Sequence, residues 1–249
     1  MTDNANKEEK EQLLTPAELA KAIAKAERKK EQLRRKMRHQ EMRQKLRRQV
    51  IAREIMIGEE GRPLPRLKEV VAFDLECAGF VEDDIIEIGA MKINLRDGST
   101  REFHELVHPR THLNKHVVKM TGITEDDLKD CDDIAAVLPR FIAFVGKCPV
   151  LGHSIGDNDI VRINLALRRA GIAGMRGFFP RYIDTERIAH RMFDGKRPEI
   201  KKFGLTSLLE HYDIKIEDTH RAIDDALAAY MLYKKLTEEL MCTSNQKIK

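Results

Sequence analysis

Apolar and polar positions divide the chain into two unlike stretches. From Pro16 to about Ile57 the residues are mostly Ala, Lys, Arg, Glu, Gln and Met, strong helix formers uninterrupted by Gly or a further Pro. Thr15-Pro16-Ala17-Glu18 supplies the start signal, with Thr15 as N-cap, Pro16 at the first helical position and Glu18 closing a capping box. One long helix is predicted. Its larger apolar positions, Leu33, Met37, Met42, Leu46 and Val50, step by 4, 5, 4 and 4, so no heptad is sustained and a strong coiled coil is not expected. Gly58, Gly61, Pro63 and Pro65 then mark a linker. Beyond it, strands are predicted at about 68–76, 84–94 and 101–108, the last two joined as a hairpin through Arg96-Asp97-Gly98-Ser99. A helix near 132–146, a strand at 149–152, a helix at 159–170, a strand at 181–184 and helices near 185–193, 204–211 and 220–240 follow. Three strands followed by alternating helices and strands predict an α/β layer with a mixed sheet. The expected organisation is a helical extension and linker over 1–67, a domain over 68–240 and a tail over 241–249.

The first strand carries an anomaly. Val70-Val71-Ala72-Phe73 is apolar, but Asp74 and Glu76 follow before the turn at Gly79. Strand side chains alternate, so both acids point to one side while Phe73 and Leu75 point to the other. Two neighbouring carboxylates are costly to desolvate, and something positive must offset them. Further acids follow in Gly152-His153-Ser154-Ile155-Gly156-Asp157-Asn158-Asp159, at a strand end, where 157, 158 or 159 would cap the next helix. Thr219-His220-Arg221-Ala222-Ile223-Asp224-Asp225-Ala226 opens the last helix, with an apolar face read as Ile223, Leu227, Tyr230 and Met231. At helical spacing His220 and Asp224 stack on one face, while Asp225 turns away by roughly 100° into solvent.

Charge sharpens the division. Residues 1–67 hold 18 Lys and Arg against 11 Asp and Glu, whereas residues 68–249 hold 27 against 30. The positive charge is an arm on a mildly acidic body. Four scattered cysteines without a Cys-x-x-Cys fit reduced thiols rather than a disulfide frame or zinc knuckle. No apolar run approaches membrane-helix length, and the polar start lacks a signal-peptide core. A soluble cytoplasmic protein without a membrane partner is expected.

The acids and histidines, taken in order, closely resemble the DnaQ-like exonucleases, the DEDDh group of the ribonuclease H-like fold. Asp84-Ile85-Ile86-Glu87-Ile88-Gly89-Ala90, Thr121-Gly122-Ile123-Thr124 and Ile183-Asp184-Thr185 add to the likeness, which spans about residues 68–240. The resemblance implies a ribonuclease H-like mixed sheet flanked by helices, preceded here by the long basic helix. It further implies removal of nucleotides from a 3′ end, with Asp74, Glu76, Asp159 and Asp224 as metal-binding acids and His220 as general base. Four carboxylates would be matched by two Mg²⁺ or Mn²⁺ ions, hard cations suited to oxygen ligands. A histidine, titrating near pH 6.5 when unperturbed, suits proton transfer at physiological pH. Two departures from the family pattern stand out. An extra spacer residue and Asn158 leave the register of the third acid open between Asp159 and Asp157. Cys77-Ala78 replaces the common Thr-Thr, in the neighbourhood that with Gly79, Thr121 and His153 would contact the terminal nucleotide.

Other patterns have plainer readings. Histidines at 104, 108, 112 and 116 recur every fourth residue, but Pro109 and a strand interrupt them, so no shared metal face is expected. Thr121 to Thr124 reads as a turn and helix cap, and Asp184 as a cap. Arg34, Arg35, Lys36, Arg38, Arg43, Lys45, Arg47 and Arg48 would attract phosphate backbones without reading sequence, or dock a protein such as a polymerase. The leading expectation is a metal-dependent 3′-to-5′ exonuclease acting on single-stranded DNA or RNA ends. Its alternative is a non-catalytic binding module that uses the exonuclease fold as scaffold; a structural coiled-coil protein would account for the arm only.

Overall fold

A computed structural model describes residues 15–51, 53–58, 64–79, 84–172, 177–197, 199–216 and 220–246. The chain separates into two units divided between Gln44 and Lys45. Helix α1, Pro16–Ile51, opens on the expected capping box: the Glu18 N–H donates to Thr15 Oγ1 at 3.3 Å, and the Thr15 N–H to the Glu18 carboxylate at 2.9 Å. Along it Ile23, Leu33 and Met37 are exposed.

The helix stops short of Ile57. Arg53 to Ile57 instead lie extended beside strand β5, Tyr182–Asp184, where the Ile55 N–H donates to the Tyr182 carbonyl at 2.7 Å. Ile55 and Ile57 are both buried, as alternating β-branched residues on an added sheet edge should be. Glu54, just before Ile55, takes Arg187 and Arg191 at 3.1 and 2.9 Å. The segment read as the end of the arm is thus part of the second unit's core. Within the predicted linker, Gly61 and Pro63 lie outside the described residues.

Five strands form one mixed sheet in the order β3-β2-β1-β4-β5. These are β1 Glu69–Cys77, β2 Ile85–Asn94, β3 Thr100–Leu106, β4 Val150–Gly152 and β5. The β1–β2 and β2–β3 pairs are antiparallel; β1–β4 and β4–β5 are parallel. The remaining helices are α2 Lys115–Thr121, α3 Glu125–Leu128, α4 Ile134–Val145, α5 Asp159–Ala170, α6 Thr185–Phe193, α7 Leu205–His211 and α8 Ala222–Gln246. Helix α8 runs into the segment expected to be a tail, whose residues 247–249 lie outside the described residues. The two short helices α2 and α3 are additions to the sequence reading. Their apolar pattern is too brief to register, and caps define them: Asn114 and Gly122 for α2, Thr124 for α3.

Strand alternation builds two cores. Val70 and Ala72 of β1 join Met91, Ile93, Leu151 and Ile183 under α6, α7 and α8. On the other face Phe73 meets Phe141 of α4 and Phe178 edge-on, at centroid distances of 5.2 and 6.3 Å. The first face, continued along β1, is the one that carries Asp74 and Glu76.

Candidate active site

β1 is the central strand, and its apolar start and acidic end follow from where it emerges from cover. Val70 to Phe73 lie between helix layers, whereas Asp74 and Glu76 are partly exposed. The register with β2 shifts between Glu76 and Cys77, a bulge that ends regular pairing beside the acids.

Helix α8 brings the next carboxylate. Its buried stripe is Ala222, Ala226, Ala229, Leu232 and Leu236, not the bulkier Ile223-Leu227-Tyr230-Met231 face read from sequence, of which Met231 is exposed. The alanines win because the helix start lies almost on the sheet: a Cβ added to Gly89 of β2 would fall 2.1 Å from the Ile223 nitrogen. Asp225, three residues beyond Ala222 and four before Ala229, shares that stripe. A carboxylate oxygen of Asp225 and one each from Asp74 and Glu76 lie within 4.8 Å of one another. Asp224, the acid expected from sequence, is not in this group. His220 is the reason that counting four residues from it misleads: it precedes α8 in a left-handed conformation with φ +77°, so the helical repeat does not yet apply. Its backbone N–H donates to Asp225 Oδ2 at 3.3 Å. Thr219, read as part of the same motif, lies outside the described residues.

Asp159 opens α5, buried to 3% exposure, and its charge bears on Asp74 more strongly than that of any other acid. Asp157 turns elsewhere and meets Arg187 at 2.8 Å. Asn158, at the N-cap position, spends its side-chain amide on Ser154 Oγ. Of the two acids left open by the sequence, Asp159 is the one beside Asp74, and Asp157 is the one paired with Arg187.

Like charge dominates this corner. Burial, then Asp159, Glu76 and Asp225, drive the Asp74 carboxyl well above the usual carboxylate range. Burial, then Asp225 and Glu87, push Glu76 up to about 8. Burial also raises Asp225, against a lowering influence of His220. Carboxylates so arranged resist ionising together unless a cation joins them. An all-oxygen donor set of this kind fits a hard divalent ion such as Mg²⁺ or Mn²⁺.

Two groups in this neighbourhood had no part in the sequence reading of the site. Glu87 stands opposite Glu76 in the β1–β2 register and is 0% exposed. It accepts hydrogen bonds from Arg221 Nε and Nη2 at 3.0 and 2.8 Å and from the Ala222 N–H at 3.0 Å, and it pairs with His104 Nε2 at 2.6 Å. Burial opposes its ionisation, but these bonds outweigh it and hold Glu87 below its ordinary value. It thereby anchors the segment between His220 and α8. The other is Arg162 on α5, 3.2 Å from Asp159 Oδ1. Its signal was its place three residues after Asp159, one turn along the helix.

An exonuclease family model, RNase T, matches residues 71–233. The chain belongs to the RNase T exonuclease family. Among curated relatives, DNA polymerase III subunit epsilon of Aquifex aeolicus is 31% identical over 176 residues, 68% of this chain and 81% of its own length. DNA polymerase III PolC-type of Caldanaerobacter subterraneus is 29% identical over 174 residues, covering 69% of this chain; the chain spans only 12% of that polymerase. The nuclease domain of 3′hExo, a DEDDh family member bound to rAMP, superposes with a TM-score of 0.58 at 18% identity, over 71% of this chain and 95% of that one. The cell-death related nuclease CRN-4 gives 0.57 at 19% identity, over 70% of this chain and 64% of that one. These structures share the mixed-sheet, ribonuclease H-like fold.

In this exonuclease domain the residues expected near a terminal nucleotide scatter in role. Cys77 ends β1, its thiol pushed up to about 12 by burial. Ala78 is fully buried with Ile86, Leu113, Ile123 and Leu128, and its backbone bonds Asp84 and Asn114. Gly79 has φ +91° and no room for a Cβ against Val117 and Asn114, so glycine is required at that turn. Thr121 is buried and accepts the Ile123 N–H. His153 Nδ1 is 2.9 Å from Thr185 Oγ1, and burial lowers its pKa.

Of the expected caps, those of α1, α3 and α6 are in place, whereas Asn158 at the start of α5 makes no side-chain cap hydrogen bond. Thr124 forms a capping box with Asp127, and Asp184 caps α6 while accepting the Ser154 and Gly156 N–H groups. The four periodic histidines part company: His104 meets Glu87, His108 the Leu128 carbonyl and His112 Glu125, while His116 lies in α2. Of the arm, Arg34, Arg38, Lys45 and Arg48 are exposed along α1; the side chains of Arg35, Lys36, Arg43 and Arg47 lie outside the described ones. Among the described residues no helix is long and apolar enough to cross a membrane.

Proposed function

We propose that the chain is a metal-dependent 3′-to-5′ exonuclease that hydrolyses the terminal phosphodiester of single-stranded DNA or RNA. The observation that carries this reading is the meeting of Asp74, Glu76 and Asp225 within 4.8 Å at the open end of the central strand, in a domain of the exonuclease family. Asp74, Glu76, Asp225 and Asp159 would hold two divalent ions, with Asp225 taking the part expected of Asp224 from sequence. Bound there, such ions supply positive charge for the attacking water and the leaving 3′ oxygen. His220 accepts the proton of that water, and the Glu87–Arg221 pair fixes the segment from which it projects. Cys77, Gly79 and Thr121 border the terminal nucleotide, and the deeper His153 braces the β4–α5 turn through Thr185.

Relatives named as DNA polymerase III components favour a partner that presents nucleic-acid ends. The exposed cations of α1 serve as a sequence-independent tether to the phosphate backbone.

An oligonucleotide labelled at its 5′ end tests the activity. A ladder of shortened products that needs Mg²⁺ or Mn²⁺ and vanishes in Asp74→Ala is expected, run in parallel on single-stranded and duplex DNA and RNA. Binding without any ladder would leave a non-catalytic binding module as the better account.

A further inference from the structure

Arg162 sits within the acidic group and has no part in the reaction as proposed. Its Nη1 lies 3.2 Å from Asp159 Oδ1, and its Nε is buried without a hydrogen-bond partner among the described residues. Asp74, Glu76 and Cys77 all feel its charge. A guanidinium cannot shed that charge by losing a proton at any working pH. The Asp159 carboxylate is buried and the Arg162 side chain is only 28% exposed, so the repulsion between this fixed cation and a divalent ion at Asp159 is only partly screened by salt. The two therefore compete for the same carboxylate. Asp74, Glu76 and Asp225 form a group without Asp159, so one ion can be held there with Arg162 in place. An ion that needs Asp159 must compete with the guanidinium for it.

Given the metal-dependent reading above, we propose that Arg162 is a built-in competitor for the divalent cation at Asp159. The free protein takes up one ion tightly and a second at least about tenfold more weakly. A substrate phosphate relieves the competition, because the planar guanidinium fork suits phosphate oxygens and is drawn off the carboxylate. Loading of the second ion is then coupled to the arrival of a nucleic-acid end, which keeps the fully loaded site from persisting without substrate.

Mn²⁺ titration of the full-length chain tests this, followed by calorimetry and by paramagnetic resonance counting of bound ions. The wild type is expected to show one strong and one weak site. Arg162→Met should tighten the second by roughly tenfold or more, whereas Arg162→Lys, which keeps the charge, should leave it weak. Adding a nucleoside monophosphate should tighten the second site in the wild type and change little in Arg162→Met. Arg162→Gln, neutral but polar, replaces Met if circular dichroism shows that the Met variant does not fold. Equal second-site affinity in wild type and neutral variants overturns the proposal while leaving the metal reading intact. No Mn²⁺ uptake by any of the proteins overturns both.

Discussion

Asp74, Glu76 and Asp225 place three carboxylates close enough for mutual repulsion to set their chemistry. Each resists ionisation, and Glu76 does so up to about 8. The native state then holds protons that the unfolded chain releases. This contribution to stability is fully present below the ordinary carboxylate value of about 4.5 and is lost as pH rises toward about 8. In chelator, the unfolding temperature is expected to fall from pH 5 to pH 8, and Mg²⁺ or Mn²⁺ should flatten the profile. Scanning calorimetry checks it; a flat metal-free profile would contradict the assigned repulsion. The adjacent aspartates give a second expectation. Asp225→Asn should lower kcat by about a thousandfold or more, the scale on which removing a member of a catalytic unit acts. Asp224→Asn, outside the group, should stay within about tenfold, and single-turnover assays separate the two. The acids at 74 and 76 were legible because strand alternation is local. The choice between 224 and 225 was not, because it turns on where α8 begins and on which of its faces meets β2.

Helix α8 shows at the element scale how little a hydrophobic stripe says about the distance of approach. Ile223, Leu227 and Tyr230 are the larger residues, yet the deepest burial goes to Ala222, Ala226 and Ala229, since Gly89 lets the helix start approach the backbone of β2. Glu87, two residues before Gly89 and on the same side of β2, ties that start down through Arg221 and the Ala222 N–H. Gly89→Ala should cost about 1–3 kcal/mol by overpacking, and more if backbone must move. Because Asp225 is carried on the displaced helix, Mn²⁺ affinity should fall along with stability. Denaturant titration and calorimetry on one variant test both, and undiminished metal affinity would separate the helix position from the site. The same scale explains the other element differences. The strands and longer helices carry their own periodicity, whereas α2 and α3 rest on caps, and Arg53–Ile57 becomes a sheet edge only because β5 has an edge to offer.

For the whole molecule, the division between Gln44 and Lys45 alters how the arm should be tested. Cutting at residue 60 would remove Ile55 and Ile57 from the core and confound tethering with stability. Replacing Arg34, Arg38, Lys45 and Arg48 by Gln in the full chain avoids this. The slope of log affinity against log salt for single-stranded DNA should become shallower by up to about 0.7 for each phosphate that is no longer neutralised. Turnover of short oligonucleotides at saturation should change less than about twofold. An unaltered salt slope would remove the tether and leave α1, with Ile23, Leu33 and Met37 exposed, to protein docking.

The sequence by itself determined the order of the strands and longer helices, the acidic end of β1, the capped starts of α1 and α6 and the separation of a basic arm from an acidic body. All of these are written in periods of two or 3.6 residues, in caps, or in summed charge, which act between near neighbours. Only the tertiary structure decided that Asp225 rather than Asp224 joins Asp74 and Glu76, that Glu87 anchors the loop before α8, and that Arg162 faces Asp159 inside the acidic group. Those outcomes depend on how closely separate elements approach. Side chains far apart along the chain, such as Glu87 and Arg221, meet at 2.8 Å because a glycine in one strand admits a helix start from another segment.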